Sequence, residues 1–503
     1  MSETKKKKKL SFPTAFTVLF IVLFLSCILT YIIPAGLYSK LSYDSAKNVF
    51  AITDSKGNIT EMPATQESLD QLKITGDIEK FLDGSINKPV SIPGTYEKVE
   101  QKPQGAKEFI IAPISGVYDT IGIILFVFIL GGIIGVLNAI GAFSAGIAAL
   151  SRATKGKEFI LIIAVTALIS LGGTTFGLAE ETIALYPILV PVFLAAKYDV
   201  LVCIASVYMG SCIGTMFATI GPFSVVVASN AAGISFANGF NFRLIAFILG
   251  TALTIIYILL YAKKVKKDPS KSFVYDQREE FEAKFKTEGE APALTLKFKI
   301  ILLVFIASFG VLVYGVASQG WWFEQMTALF LVTALIIGFL SGLGEKEFIN
   351  QFLIGAGDLL GVAFIVGIAR SINIVLENGM VSDTILYFFS NLVMGMNKNI
   401  FIVMMLFIYL ILGFFIPSTS GMAVLSIPIM APLADSVGIG RDAVISAYVY
   451  GQGLMAFITP TGLALASLAM VNVTYNKWLK LILPFMGILV VFCILMLILQ
   501  VNL

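Results

Sequence analysis

Two adjacent carboxylates, Glu180 and Glu181, follow the run Gly172-Gly173-Thr174-Thr175-Phe176-Gly177 inside an otherwise apolar stretch. At the centre of a bilayer each would cost about 2.5–3.5 kcal/mol unless paired, so they demand a positive partner. A second run, Pro417-Ser418-Thr419-Ser420-Gly421, offers the opposite chemistry. Its hydroxyls, and the N–H groups of a helix restarting behind it, suit a carboxylate. One cation, Arg370, lies inside another apolar run, with Asn373 and Glu377 following at helical spacing. With all three ionised, Glu180, Glu181 and Arg370 leave negative charge in excess. A proton, a sodium ion or the cation of a substrate would balance it. Thr174, Thr175, Asn230, Thr459 and Thr461 are candidate neutral contacts. The plainer alternatives are that the glycines and prolines only kink helices, and that a glutamate pairs with Arg370 to hold the fold.

The elements that must position these groups follow from composition. Of 503 residues, 57% are apolar and 13% charged, against about 25% charged in a soluble chain. Mean hydropathy is +0.89. A soluble enzyme, a disordered chain and a nucleic-acid binder are excluded. There is no histidine, which removes imidazole proton relays, Cys/His zinc sites and Ser-His-Asp triads. The four cysteines, Cys27, Cys203, Cys212 and Cys493, lie in apolar runs and read as packing residues. The chain reads as an all-α polytopic membrane protein.

A hydrocarbon core of about 30 Å needs roughly 20 apolar residues as a helix. Nine stretches qualify: 12–33, 119–140, 199–235, 241–262, 298–317, 323–340, 358–377, 441–470 and 478–501. The first is too long for a signal peptide's apolar region and lacks a cleavage site. Two more, 158–196 and 400–437, are interrupted midway by small and polar residues and read as re-entrant hairpins. With the amino terminus inside, 22 of the 35 basic residues fall on inner segments and three on short outer ones. That bias places the amino terminus in the cytoplasm and the carboxyl terminus outside. Residues 1–34 are then a basic tail (Lys5 to Lys9) and first span, and 35–108 an extracytoplasmic lid or irregular domain. Residues 109–262 form one transport repeat, 263–297 a charged cytosolic linker, 298–322 a linking span and 323–503 the second repeat.

The two halves match each other. Lys107-Glu108-Phe109, Gly116, Asp119 and Gly122 recur 239 residues on as Lys346-Glu347-Phe348, Gly355, Asp358 and Gly361. Residues 171–191 align with 412–432, prolines in register, and Pro222 with Ala228-Ser229 aligns with Pro460 and Ala466-Ser467. Counting spans inverts the second half relative to the first. Inverted repeats with interrupted helices point to a secondary transporter with a site near the midplane. Irregular backbone is tolerated there only when buried in protein or facing a watery cavity. The breaks fall at both hairpin tips, at 210–222 and at 451–462. Gly355-Ala356-Gly357-Asp358 with Tyr118-Asp119 imitates an intramembrane aspartyl protease. As repeat equivalents, however, the two aspartates open spans of opposite direction and read as N-caps. No nucleotide-binding G-x-x-x-x-G-K-[ST] occurs. No enzymatic activity, metal or cofactor is expected beyond H+ or Na+ as coupling ion. A passive channel would want a ring of charge, and none is visible.

The opening SFPTAFTVLF…IIPAG, the hairpin GGTTFGLAEETIALYPILVP and the span GIARSI…LENG resemble the YfcC-like branch of the anaerobic C4-dicarboxylate carrier family. The arginine/ornithine antiporters are grouped with that branch. The resemblance implies the ion-transporter superfamily fold, a homodimer in the bacterial inner membrane, and a hairpin-bearing domain that moves like an elevator. It implies basic amino-acid exchange. Carriage of C4-dicarboxylates or short-chain carboxylates with H+ or Na+ is the alternative. Glu180-Glu181 depart from the neutral tips of dicarboxylate carriers.

Overall fold

The computed structural model describes residues 13–74, 77–84, 86, 88–153, 155–285, 292–319 and 321–503. The Lys5 to Lys9 run, the first residue of the 12–33 span and residues 286–291 of the linker lie outside the described residues. Helix α1 (Ala15–Ile32) starts where the Thr14 hydroxyl accepts from the Thr17 N–H. Six strands follow: β1 (Gly36–Leu37), β2 (Lys40–Asp44), β3 (Val49–Thr53), β4 (Ile59–Pro63), β5 (Val90–Ser91) and β6 (Glu97–Lys98). They form an antiparallel sheet in the order β4-β3-β2-β5 and a β1-β6 ribbon. This β-domain is more regular than its turn-rich composition suggested. Short strands pair in register, Leu41 against Ile52 and Phe50 against Met62, and bury Leu41, Phe50 and Phe81 beneath them.

The rest is helical. The first half continues with α2 (Ala106–Asp119), α3 (Ile121–Ala139), α4 (Ala142–Ala153), α5 (Phe159–Phe176) and α6 (Tyr186–Ala195). After these come α7 (Val200–Met216), α8 (Pro222–Ala232) and α9 (Phe240–Lys267). Helix α10 (Leu296–Gln319) joins the halves. The second half holds α11 (Phe323–Ser341), α12 (Glu345–Gly357), α13 (Leu360–Asn378), α14 (Ser382–Leu392) and α15 (Lys398–Phe415). It closes with α16 (Thr419–Ser436), α17 (Arg441–Ala456), α18 (Leu463–Met470) and α19 (Tyr475–Asn502). Packing contacts exchange in pairs between the halves. Helix α2 packs on α13, and α12 on α3; α1 packs on α13, and α11 on α3. Likewise α5 packs on α7 and α9, while α15 packs on α17 and α19.

Among the described residues, nine helices are long and apolar enough to cross a membrane. The number equals the sequence expectation, but two members differ. The stretches 199–235 and 441–470 are broken, as the expected interruptions at 210–222 and 451–462 require: α7 ends at Met216 and α8 restarts at Pro222, and α17 ends at Ala456 and α18 restarts at Leu463. Their places are taken by α5 and α15, the leading arms of the two interrupted stretches. Each has 18 residues and so spans about 27 Å. The small and polar residues interrupt each stretch at the expected places, 172–177 and 417–421, and so close each leading arm at its end.

Candidate functional site

The first tip is made by glycine. Gly177 ends α5 in the left-handed region at φ +81°, a conformation other residues adopt at a cost. A Cβ on Gly214 would lie 2.3 Å from the Ser170 carbonyl oxygen, so α5 and α7 touch backbone to backbone. That approach lets Thr174 bond across the break after α7. Its hydroxyl donates to the Phe217 carbonyl at 2.9 Å, and the Thr219 N–H donates back to it at 2.9 Å. Thr174 thereby supplies partners the interrupted helix lacks. Thr175 turns back on its own helix, donating to the Leu171 carbonyl at 2.7 Å.

Glu180 and Glu181 open a 3-10 turn, Glu180–Leu185, that packs on α3, α6 and α18. Both are partly buried. Glu181 accepts from the Ala179 N–H at 3.1 Å. Among the described residues neither glutamate forms an ion pair. Arg370 is engaged elsewhere, with Asp119 through Nε and with Glu377 through Nη1. The plainer alternative, a tip glutamate paired with Arg370, is thus not what the structure shows, and the reason is steric. Gly116 of α2 meets Gly367 of α13 so closely that a Cβ would lie 2.1 Å from the Gly367 carbonyl. One turn beyond each glycine stand Asp119 and Arg370. Glu377 lies two turns further along the same face. Asn373 is buried, with Oδ1 unpartnered.

The second tip is held from α17. The Tyr448 hydroxyl donates to the Thr419 carbonyl at 2.7 Å, and the Gln452 amide to the Pro417 carbonyl at 3.2 Å. The two lie one turn apart on a buried helix; Gln452 stands at the start of the 451–462 break marked in the sequence, whereas nothing local marks Tyr448. Ser418 caps α16 by accepting from the Gly421 N–H at 3.2 Å. The tip has a visitor. Lys88, from the loop before β5, donates to Ser420 Oγ at 2.8 Å and Ser418 Oγ at 3.4 Å. Thr459 and Thr461 share a hydrogen bond of 2.6 Å at the break between α17 and α18, and Asn230 is buried on α8. The first turn of α8 packs on both α5 and α16. The glutamates, by contrast, keep company with α18 rather than α16.

The aspartate N-caps are also corrected. Asp119 spends its carboxylate on Arg370, and Asp358 follows the last turn of α12. Asp358 instead lines a cavity of about 540 Å³ with Asn138, Ser144, Pro187 and Pro191. The cavity adjoins α6, the helix that follows the two glutamates. The sequence reading missed Asn138 and Ser144.

The sequence model of the C4-dicarboxylate anaerobic carrier family matches residues 12–502. A Haemophilus influenzae protein of uncharacterised function is 47% identical, covering 100% of this chain and 99% of its own. The Escherichia coli protein named "Putative basic amino acid antiporter YfcC" is 28% identical, over 97% of this chain and 96% of its own. Two solved structures align at low similarity. The Alcanivorax borkumensis YdaH transporter gives a TM-score of 0.40 at 15% identity, covering 97% of this chain and 98% of its own. Neisseria gonorrhoeae MtrF gives 0.36 at 14%, covering 98% and 96%. On the family match, the chain belongs to the C4-dicarboxylate anaerobic carrier family, in its YfcC-like branch, and is a multi-pass membrane transporter.

Proposed function

We propose that the protein exchanges basic amino acids, arginine for ornithine, by secondary antiport in the bacterial inner membrane. One observation carries the reading: Glu180 and Glu181 are half-buried without a cationic partner among the described residues, while Arg370 is committed to Asp119 and Glu377. A substrate ammonium or guanidinium would neutralise the glutamates. Its α-carboxylate would meet the Ser418–Gly421 tip and the start of α16, with Thr459, Thr461 and Asn230 as neutral contacts. Thr174 and Thr175 serve the backbone instead. The name given to the Escherichia coli relative agrees. In this reading the repeats are inverted, the tips are re-entrant and the amino terminus is cytoplasmic. The β-domain is extracytoplasmic, and the hairpin-bearing helices of a homodimer move as an elevator.

The test is uptake of labelled arginine into proteoliposomes loaded with ornithine. Uptake should require internal ornithine and persist without an ion gradient. Glu180→Gln and Glu181→Gln should each lower it by about tenfold or more, the worth of a charged hydrogen bond. Wild-type uptake from both variants would end the assignment. The hydroxyl character of the second tip favours a second reading, a carboxylate carried with H+ or Na+ bound at the glutamates. Gradient-driven succinate uptake with no response to arginine would select it.

A further inference from the structure

The β-domain touches two sets of helices. On one side it is tied to α1, α13 and α14. The Gly36 N–H donates to the Met380 carbonyl, the Tyr38 N–H to Asp383 at 3.0 Å, and Tyr96 stacks on Tyr387. Gln101 adds a bond to the Thr30 carbonyl at 3.0 Å. On the other side, β5 packs on α16. The apolar cluster under the sheet includes Val424 of α16, with Val227 of α8 packed against it. Lys88 extends that second contact onto the tip, and it does so at a disadvantage. Burial and the Arg370 guanidinium pull its ammonium below the usual lysine range, with Glu377 opposing only in part. Among the described residues no carboxylate forms an ion pair with it. A contact made against desolvation and a like charge is readily reversed.

We infer that the β-domain is a lock, and that Lys88 is its bolt: the lysine occupies the Ser418 and Ser420 hydroxyls and must withdraw before the tip can take a transported solute. This rests on the reading that the tip belongs to the substrate site. Displacement of α16 relative to α13 and α14 would break the Lys88 contact and the Val424 seat together. Each solute arriving from the β-domain side therefore competes with a tethered ammonium, and its apparent affinity falls by the fraction of tips left open.

Two readouts test the lock on the full-length protein, and the first needs no substrate. Amide hydrogen exchange of residues 417–424 in detergent should speed up about three- to tenfold in Lys88→Ala and Lys88→Met, the worth of one or two hydrogen bonds. The amides of β2 and β3 should stay protected as a check on folding, and Lys88→Arg should remain near wild type. In right-side-out membrane vesicles, the KM for external labelled arginine should fall by a similar factor in Lys88→Ala. Unchanged exchange at the tip overturns the lock. So does a raised KM, which would make Lys88 a ligand of the substrate carboxylate. If arginine is not carried at all, the proposed function fails while the exchange measurement still decides the lock.

Discussion

Gly214→Ala should damage the first tip without touching any residue proposed to bind solute. The new Cβ would lie 2.3 Å from the Ser170 carbonyl oxygen and 2.8 Å from the Gly173 Cα, both backbone atoms with no side chain to swing away. Restoring ordinary contact distances requires α5 and α7 to part by about 1 Å. That stretches the 2.9 Å bond from Thr174 to the Phe217 carbonyl beyond hydrogen-bonding range. Overpacking of this kind costs about 1–3 kcal/mol. The control is Gly487→Ala in α19, where nothing lies within 4 Å of the added methyl. A glycine-to-alanine change inside a helix is worth up to about 1 kcal/mol in favour of alanine. The assay is the temperature at which half the detergent-solubilised protein is lost from its size-exclusion peak, read beside solute uptake. Gly214→Ala should melt several degrees lower and lose about tenfold or more of its uptake, while Gly487→Ala melts at or above wild type. Equal melting temperatures for the two variants would refute the claim that backbone contact between α5 and α7 positions the tip.

Arg370→Met should leave Asp119 and Glu377, both about half exposed, without their shared cation and lower stability by up to about 1 kcal/mol per pair; the thermal midpoint should recover in part when Asp119→Asn is added, and a variant as stable as wild type would contradict the ion-pair assignment. Glu158, at the start of α5, is held down to about 2 by the Gly156 N–H, its own N–H and Lys266. Because the folded value is depressed, its contribution is complete above the ordinary value of 4.5 and is lost as pH falls toward 2. The difference in melting temperature between wild type and Glu158→Gln should therefore shrink as pH is lowered from 6 to 3, and a difference that stayed constant would argue against it.

The spans and breaks were legible because the bilayer imposes a length and punishes irregular backbone, so Gly177, Pro222 and the Ser418 cap announce themselves in sequence. Arg370 was legible as a charge within a span, with Glu377 beside it on the same helix face, but its pairing with Asp119 was not. Its partner depends on the close crossing of α2 and α13 at Gly116 and Gly367, and a glycine in sequence does not name the helix it will meet. The leading arms α5 and α15 end where the glycines and prolines of 172–177 and 417–421 put the breaks, but composition did not show that each arm is as long as a span. Lys88 was hidden for a different reason. It lies 330 residues from Ser418 in sequence, within a segment whose lysines look like ordinary surface charges.

Val424 and Val227 complete the apolar cluster beneath the β-domain, and this bears on the domain's modularity. Cut away from the helices, the domain would present an uncovered greasy seat to water, and its sheet alone is small. It is therefore a poor candidate for expression as a free antigen or for grafting between relatives. Any exchange that works must carry the matching surface of α8 and α16 with it. A change of shape on one side of this seam therefore disturbs the packing of the other, although one part reads as a surface insert and the other as membrane core.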